Sequence, residues 1–235
     1  MRTTQNLLAI ALVALLGACS AGDKAPSSTE DVTDSDTDTE SDREADVAER
    51  YAFSVEKDGI DVCFREVRKA LGDSGRVSEI NSYFSAGAEV DPDDEQPKGT
   101  LTTCTVDYQS PDDKRKLLRM SMDAKTGQFG KPAKVELQVM GDTASFNLDD
   151  YVVEMKKIDT APLQAFMDSQ KPALDKVYSA YSWDDIRLDS PGSFSNAHRL
   201  AVRLTGRFKS NDLENTGDAL LSIDGKTVID NDLTK

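Results

Sequence analysis

Apolar and polar positions alternate along the middle of the chain with the period of a β-strand. Cys104, Val106 and Tyr108 share one parity, and polar residues occupy the positions between them. The same alternation recurs in residues 118–122 and 135–139, and turn-forming Ser, Pro, Asp and Gly separate the three stretches. This pattern predicts three strands of an antiparallel meander with one face turned to solvent.

Apolar residues at helical spacing precede this meander. Val62, Val67 and Leu71 recur at near-helical intervals, and Gly72 ends the pattern. The spacing predicts a short amphipathic helix that carries Cys63. Between helix and meander, residues 87–99 are rich in Asp, Glu, Pro and Gly, which predicts an irregular acidic loop.

A helix followed by strands is predicted again further along the chain. Thr160 and Pro162 are typical of a helix start, Pro172 is expected to break or restart that helix, and its apolar face continues to Tyr178 and Tyr181. Strands are predicted at residues 186–188, 200–208, 219–223 and 227–229. Asp224-Gly225 predicts the turn of a hairpin between the last two strands.

Together these patterns predict an α+β fold of antiparallel β-meanders with packed helices. We expect two helix-plus-meander halves, residues 51–158 and 159–235. Sequence similarity between the halves is too weak to identify a repeat.

The first residues of the chain carry a motif of their own. An apolar run from Leu7 to Ala18 follows Arg2 and is shorter than the ~20 residues that span a bilayer. At its end, residues 16–19 read Leu-Gly-Ala-Cys, which resembles the lipobox of bacterial lipoproteins. An ordinary secretory signal peptide with an incidental cysteine is the alternative interpretation.

The resemblance implies that residues 1–18 are a signal peptide, removed after diacylglycerol is attached to the sulfur of Cys19. Acylation (palmitate) of the new amino group would complete a lipid anchor. Ser20, where inner-membrane lipoproteins have aspartate, implies an outer-membrane location facing the periplasm. Several acyl chains hold a domain far more firmly than one, since each buried CH₂ contributes about 0.8 kcal/mol.

Residues 19–50 differ in composition from the rest of the chain. Between residues 23 and 50 there are eleven acidic and three basic side chains, a net charge of −8 within a total of −15. Such a segment is expected to be disordered and to act as a spacer. Asp34, Asp36 and Asp38 have the spacing of calcium-loop ligands, but Thr39 and Ala45 stand where that loop needs glycine and glutamate. No metal site is therefore assigned.

Cys63 and Cys104 remain once Cys19 is assigned to lipid. An even pair in an oxidising compartment predicts a disulfide bond. A redox site or a metal site is the alternative, but such sites need closely spaced cysteines or more soft ligands.

Candidate catalytic residues are few. His198, the single histidine, precedes a predicted strand and is interpreted as structural or solvent-facing. A Ser-His-acid triad remains open because its members converge only in space. The acidic pairs at 93–94, 149–150 and 184–185 are candidates for the paired acids of a glycosidase. Neighbouring residues of a strand point to opposite faces, however, so these pairs are interpreted as solvated turns. No catalytic residue and no cofactor are assigned.

Tyr178, Tyr181 and Trp183 form the one aromatic cluster that suggests binding. They are interpreted as surrounding a helix end, where they form either an exposed anchor for a partner or part of the core.

We therefore expect a lipid-anchored, non-catalytic protein-binding module in envelope assembly or maintenance. Its partner is an unidentified envelope protein, for which the acidic surface suits a cationic target. The net charge argues against nucleic acid as a partner. Two alternatives stay open: an inhibitor or immunity-type lipoprotein that neutralises an envelope-directed enzyme or toxin, and an envelope hydrolase.

Overall fold

The computed structural model describes residues 51–138, 143–192 and 195–235. The predicted signal peptide, Cys19 and the acidic tether lie outside these residues, as does Val139 of the third predicted strand.

The described residues form one large antiparallel sheet. Its strands are β1 (Arg76–Phe84), β2 (Leu101–Gln109), β3 (Leu117–Ser121), β4 (Ala133–Val135), β5 (Val153–Glu154), β6 (Tyr178–Asp189), β7 (Arg199–Phe208), β8 (Glu214–Ser222) and β9 (Val228–Asn231). Eight strands follow the order β4-β3-β2-β1-β6-β7-β8-β9, and the two-residue strand β5 pairs with β1.

Helices account for a smaller part of the fold than strands. They are the single turn α1 (Val55–Asp58), α2 (Val62–Leu71) and α3 (Pro162–Val177), with short 3₁₀ helices at Thr143–Ser145, Leu148–Tyr151 and Met155–Lys157. No helix in the described ranges is both long enough and apolar enough to cross a bilayer. The prediction of an antiparallel sheet with packed helices is confirmed.

The core lies between one face of the sheet and the two longer helices. Ile80 and Leu188 are directly opposite each other where β1 pairs with β6, and both are fully buried. Val67 of α2 and Leu163 of α3 belong to the same apolar cluster. Each such side chain contributes about 1.5–3 kcal/mol by leaving water, so burial of this one face holds the helices on the sheet.

Cys63 of α2 and Cys104 of β2 lie at disulfide distance, with their sulfur atoms 2.11 Å apart. This confirms the predicted pairing. The bond joins the helix to the sheet across a sequence separation of 41 residues, all within the first part of the fold.

Strand β1 was not predicted from the sequence. Its pairing with β2 is shifted between Val77 and Glu79, so Ser78 is an extra residue and the alternation of apolar positions changes parity there. The third predicted strand is shorter than expected, since β4 ends at Val135 and Leu137 is 39% exposed.

The second long helix also corrects the sequence interpretation. Pro172 lies inside α3 without ending it. The proline leaves the carbonyl of Asp168 without its intrahelical partner, but both residues are exposed, so water can replace the lost hydrogen bond. Thr160 does not cap the helix; its hydroxyl donates to Asp61 Oδ2 at 3.0 Å. The helix ends at Val177, so Tyr178 and Tyr181 lie on strand β6.

Candidate functional site

The three aromatic residues singled out in the sequence have different surroundings. Tyr178 is 1% exposed, stacks on Phe208 with ring centroids 5.3 Å apart, and donates its hydroxyl to Leu233 O at 2.9 Å. It is a core residue and not an exposed anchor. Tyr181 and Trp183 are half-buried at the margin of the core.

Strand pairing places Tyr181 and Trp183 on the helix side of the sheet. Trp183 lies opposite the buried Leu204 of β7, and Tyr181 lies opposite Gly206. A Cβ atom at Gly206 would come within 2.8 Å of the Tyr178 ring and 3.0 Å of Tyr181 Cβ. Glycine at this position therefore leaves the space into which the neighbouring aromatic side chains pack.

Tyr181 and Trp183 line a surface cavity of about 590 Å³, which we call the β6 groove. One wall is formed by residues 178–183 of β6, and the others come from the loop that follows β1, from α3 and from the residue after β7. The charged side chains of the groove are Glu89, Lys98, Lys171, Asp175 and Lys209.

Hydrogen bonds fix several of these side chains. Lys98 Nζ donates to Tyr181 O at 2.6 Å and lies 6.0 Å from the centre of the Tyr181 ring. Lys171 Nζ contacts Asp175 Oδ2 at 2.9 Å, and Lys209 donates to the Asp175 carbonyl. The Tyr181 hydroxyl donates to Asp175 Oδ1 at 3.2 Å. The groove is therefore largely preformed.

The titration of the groove follows from these contacts. The hydrogen bond from Lys171 lowers the pKa of Asp175 below its ordinary value, and the same bond raises the pKa of Lys171. Partial burial raises the pKa of Tyr181. The groove contains three lysines and two acidic residues, within a chain whose net charge is −15.

A second cluster lies on the sheet face opposite the helices, which we call the open face. Along each strand, the residues of this face alternate with the core residues. They include Asn81, Arg187, Arg203 and Asp218. Asp184 and Asp185 meet here because a shift in pairing between Trp183 and Asp185 makes Asp184 an extra residue of β6.

This bulge corrects the interpretation of 184–185 as a solvated turn. Thr205 Oγ1 donates to Asp184 Oδ2 at 2.6 Å, and Arg187 Nη1 donates to Asp185 Oδ2 at 2.7 Å. Asp185 is 1% exposed, and the Oδ1 atoms of both aspartates are buried without a hydrogen-bond partner among the described residues. Burial raises the pKa of both carboxyls, that of Asp185 to about 7.

The other acidic pairs have local structural contacts. Asp94 accepts hydrogen bonds from the Ser85 hydroxyl and the Gly87 amide within the loop after β1. Asp149 contacts Arg76 and accepts from Gln109 Nε2 at 2.9 Å, which ties a 3₁₀ helix to the start of β1.

His198 precedes β7 and is half-buried. Its Nε2 lies 3.2 Å from Tyr151 O, so the imidazole is in contact with backbone, and burial lowers its pKa. Across residues 51–138, 143–192 and 195–235, no group of three or more His, Cys, Asp and Glu side chains is arranged to hold a metal ion.

Sequence reasoning identified Tyr181 and Trp183 but missed the lysines around them. Lys98, Lys171 and Lys209 come from three elements far apart in the chain, and none has a local motif. Only the tertiary fold brings them together.

Comparison of the chain with protein-family models, with curated proteins and with solved structures finds no match.

Proposed function

We propose that this protein is a lipid-anchored, non-catalytic binding module of the bacterial cell envelope. Lipid on Cys19 holds it, in our proposal, at the periplasmic side of the outer membrane, and residues 20–50 act as an acidic spacer. The folded domain then binds an envelope protein through the β6 groove. The observation that carries the binding role is the preformed cavity lined by Tyr181 and Trp183.

The shape and composition of the groove support a binding role. A volume of about 590 Å³ lies in the range of protein cavities that accept a ligand or several side chains. Tyr and Trp are the residues that most often dominate binding energy at interfaces, because they offer a large contact area with few rotatable bonds. The hydrogen bonds to Asp175 and Lys98 hold the site in place before a partner arrives, which lowers the entropic cost of binding.

The sheet order supports a division of the domain into two helix-plus-meander halves, residues 51–158 and 159–235. In each part a longer helix is followed by four strands, β1 to β4 in one and β6 to β9 in the other, and the first part also contains α1 and the two-residue β5. The first strands of the two sets pair antiparallel at the centre, and later strands follow outward. We propose that the groove belongs to the second half.

The hydrolase alternative gains one candidate in the Asp184–Asp185 pair, because a carboxyl with a pKa near 7 is suited to proton transfer. However, Asp185 is 1% exposed, and the unpartnered oxygens are covered by protein. A substrate would have to displace these covering atoms. The non-catalytic proposal therefore assigns the pair no chemical role.

The anchor is tested by the substitution Cys19→Ser in cells. We expect the wild-type chain to incorporate labelled palmitate and to sediment with outer membranes. The variant should incorporate none and should lose its acylated, membrane-bound form. Labelling of the variant equal to wild type would refute lipidation at Cys19.

The binding role is tested by capture from detergent-solubilised envelopes, with three forms of the full chain as bait. We expect a reproducible partner with wild type, strong loss of that partner with Trp183→Ala, and retention with Tyr83→Ala. Tyr83 is the matched control because it is an exposed aromatic residue on the open face. Equal capture by all three baits would contradict a role for the groove.

A further inference from the structure

Strand β6 has an unpaired edge along its first residues. Its pairing with β1 covers only Asp185 to Leu188, whereas its pairing with β7 extends over the whole strand. On the β1 side, residues 178–184 have no partner strand in the described ranges, because the chain leaves β1 after Phe84. Residues 178–183 instead line the β6 groove.

The corresponding edge of β1 is filled. Arg76 and Val77 also precede the region where β1 and β6 pair, and they face Glu154 and Val153 of β5 in an antiparallel arrangement. Strand β5 is two residues of extended chain laid along this edge. A short segment of the chain therefore completes the sheet at the start of β1, whereas the comparable position at the start of β6 has no such segment among the described residues.

The backbone of Tyr181 points into the groove. Its carbonyl accepts a hydrogen bond from Lys98 Nζ, which comes from the groove side. In a strand the N–H and C=O of one residue point to the same edge, so the Tyr181 amide also faces the groove. The Lys98 ammonium occupies the position of a donor that a neighbouring strand would supply.

We propose that the β6 groove binds an extended peptide segment of a protein partner, which adds to β6 as an antiparallel strand and carries acidic side chains. This inference rests on the proposed binding function and names the chemistry of the partner. The Tyr178 amide already donates to Leu174 O at the end of α3, so the open edge comprises residues 179–184. These residues span roughly 20 Å at about 3.3 Å per residue, so a segment of about five to seven residues is sufficient.

The charge of the groove selects an acidic segment. Three lysines face two carboxylates there, although the chain as a whole is strongly acidic. A neutral strand would displace Lys98 from Tyr181 O and leave the ammonium without a partner. An acidic side chain gives that ammonium a new partner. Lys98 therefore disfavours neutral strands and favours acidic ones. The cationic partner expected from net charge does not match this local charge.

The test uses the full chain in detergent and a fluorescent peptide, Thr-Glu-Val-Glu-Val-Glu-Thr with blocked ends. We expect saturable binding by fluorescence anisotropy. Replacing Glu by Lys in the peptide, or methylating every inner backbone nitrogen, should weaken binding by at least about tenfold, because each change removes a charge match or the strand hydrogen bonds.

Matched protein variants test the position of the site. Lys98→Glu reverses a charge in the groove and should weaken peptide binding by about tenfold or more. Lys134→Glu reverses a charge on β4 at the far edge of the sheet and should leave binding unchanged. Equal loss with both variants would overturn the assignment to the groove.

Amide hydrogen exchange tests strand addition independently of affinity. The Tyr181 amide should become protected when the peptide binds. Binding without protection at Tyr181, equal binding of the N-methylated peptide, or no binding of the acidic peptide would each overturn the inference. The proposed binding function is judged separately, by the Trp183→Ala capture experiment, and survives those outcomes if that capture succeeds.

Discussion

Strands β1 and β6 differ in whether another segment of the chain covers the edge at the start of the strand. At the start of β1, the edge is covered by β5, and Arg76 is held by Asp149 and Gln109. At the start of β6, the edge is open and lined by Tyr181 and lysines. The edge of β1 is therefore covered, whereas the comparable edge of β6 is open. We propose that the first region contributes stability, whereas the second retains backbone groups for a partner.

The contrast extends to covalent structure. The disulfide joins α2 to β2, where Cys104 lies opposite Ser82 of β1, and neither cysteine lines the groove. The open region is held instead by packing of Tyr178 on Phe208 and by the hydrogen bond of Tyr178 to Leu233 O, next to the groove. Removing these two supports should therefore have separable effects on stability and binding.

The largest effect is expected from Tyr178→Ala. Because Tyr178 is 1% exposed, its loss should reduce the free energy of unfolding by about 3–5 kcal/mol. Trp183→Ala, at the half-buried margin, should reduce it by much less, although it should strongly reduce capture of the partner. Urea unfolding followed by circular dichroism measures both. A smaller loss for Tyr178→Ala than for Trp183→Ala would contradict the assignment of the two residues to core and groove.

The next effect concerns the disulfide bond. Replacing Cys63 and Cys104 together by alanine should lower the free energy of unfolding by about 2–4 kcal/mol, because the crosslink restricts the unfolded chain. Peptide affinity at the β6 groove should stay within a factor of about two at temperatures where the variant is folded, since the bond lies outside that groove. Loss of peptide binding by the folded variant would show that the disulfide and the groove are coupled.

A smaller effect is expected at the junction between the regions, where Asp185 lies opposite Tyr83 of β1. Burial raises the pKa of Asp185 from 3.8 to about 7, so the folded state retains a proton that the unfolded state releases. The contribution of this carboxyl to stability is thus present below pH 3.8 and is lost as the pH rises to about 7.

Asp185→Asn should remove this loss, because asparagine cannot ionise. The stability of the variant relative to wild type should rise by roughly 1 kcal/mol or more between pH 4 and 7 and then level off. Parallel denaturant titrations at several pH values measure the difference. A constant difference over this range would show that Asp185 is already ionised in the folded protein.

The sequence predicted correctly those features that depend on local patterns, and it predicted the disulfide because only two cysteines remained to pair. Val62 and Leu71 defined α2, Asp224-Gly225 defined the last hairpin, and two remaining cysteines defined the disulfide. Ser78 and Asp184 could not be interpreted in the same way, because each is an extra residue that changes strand parity. The lysines of the groove were missed because only the fold brings them next to Tyr181.

The most direct test of the comparison is amide hydrogen exchange in the free protein, read at Val77 and Tyr181. Val77 faces Val153 of β5, whereas Tyr181 faces the groove. We predict slow exchange at Val77 and fast exchange at Tyr181, with the Tyr181 amide slowed by the acidic peptide. Equally slow exchange at both amides in the free protein would contradict an open edge on β6.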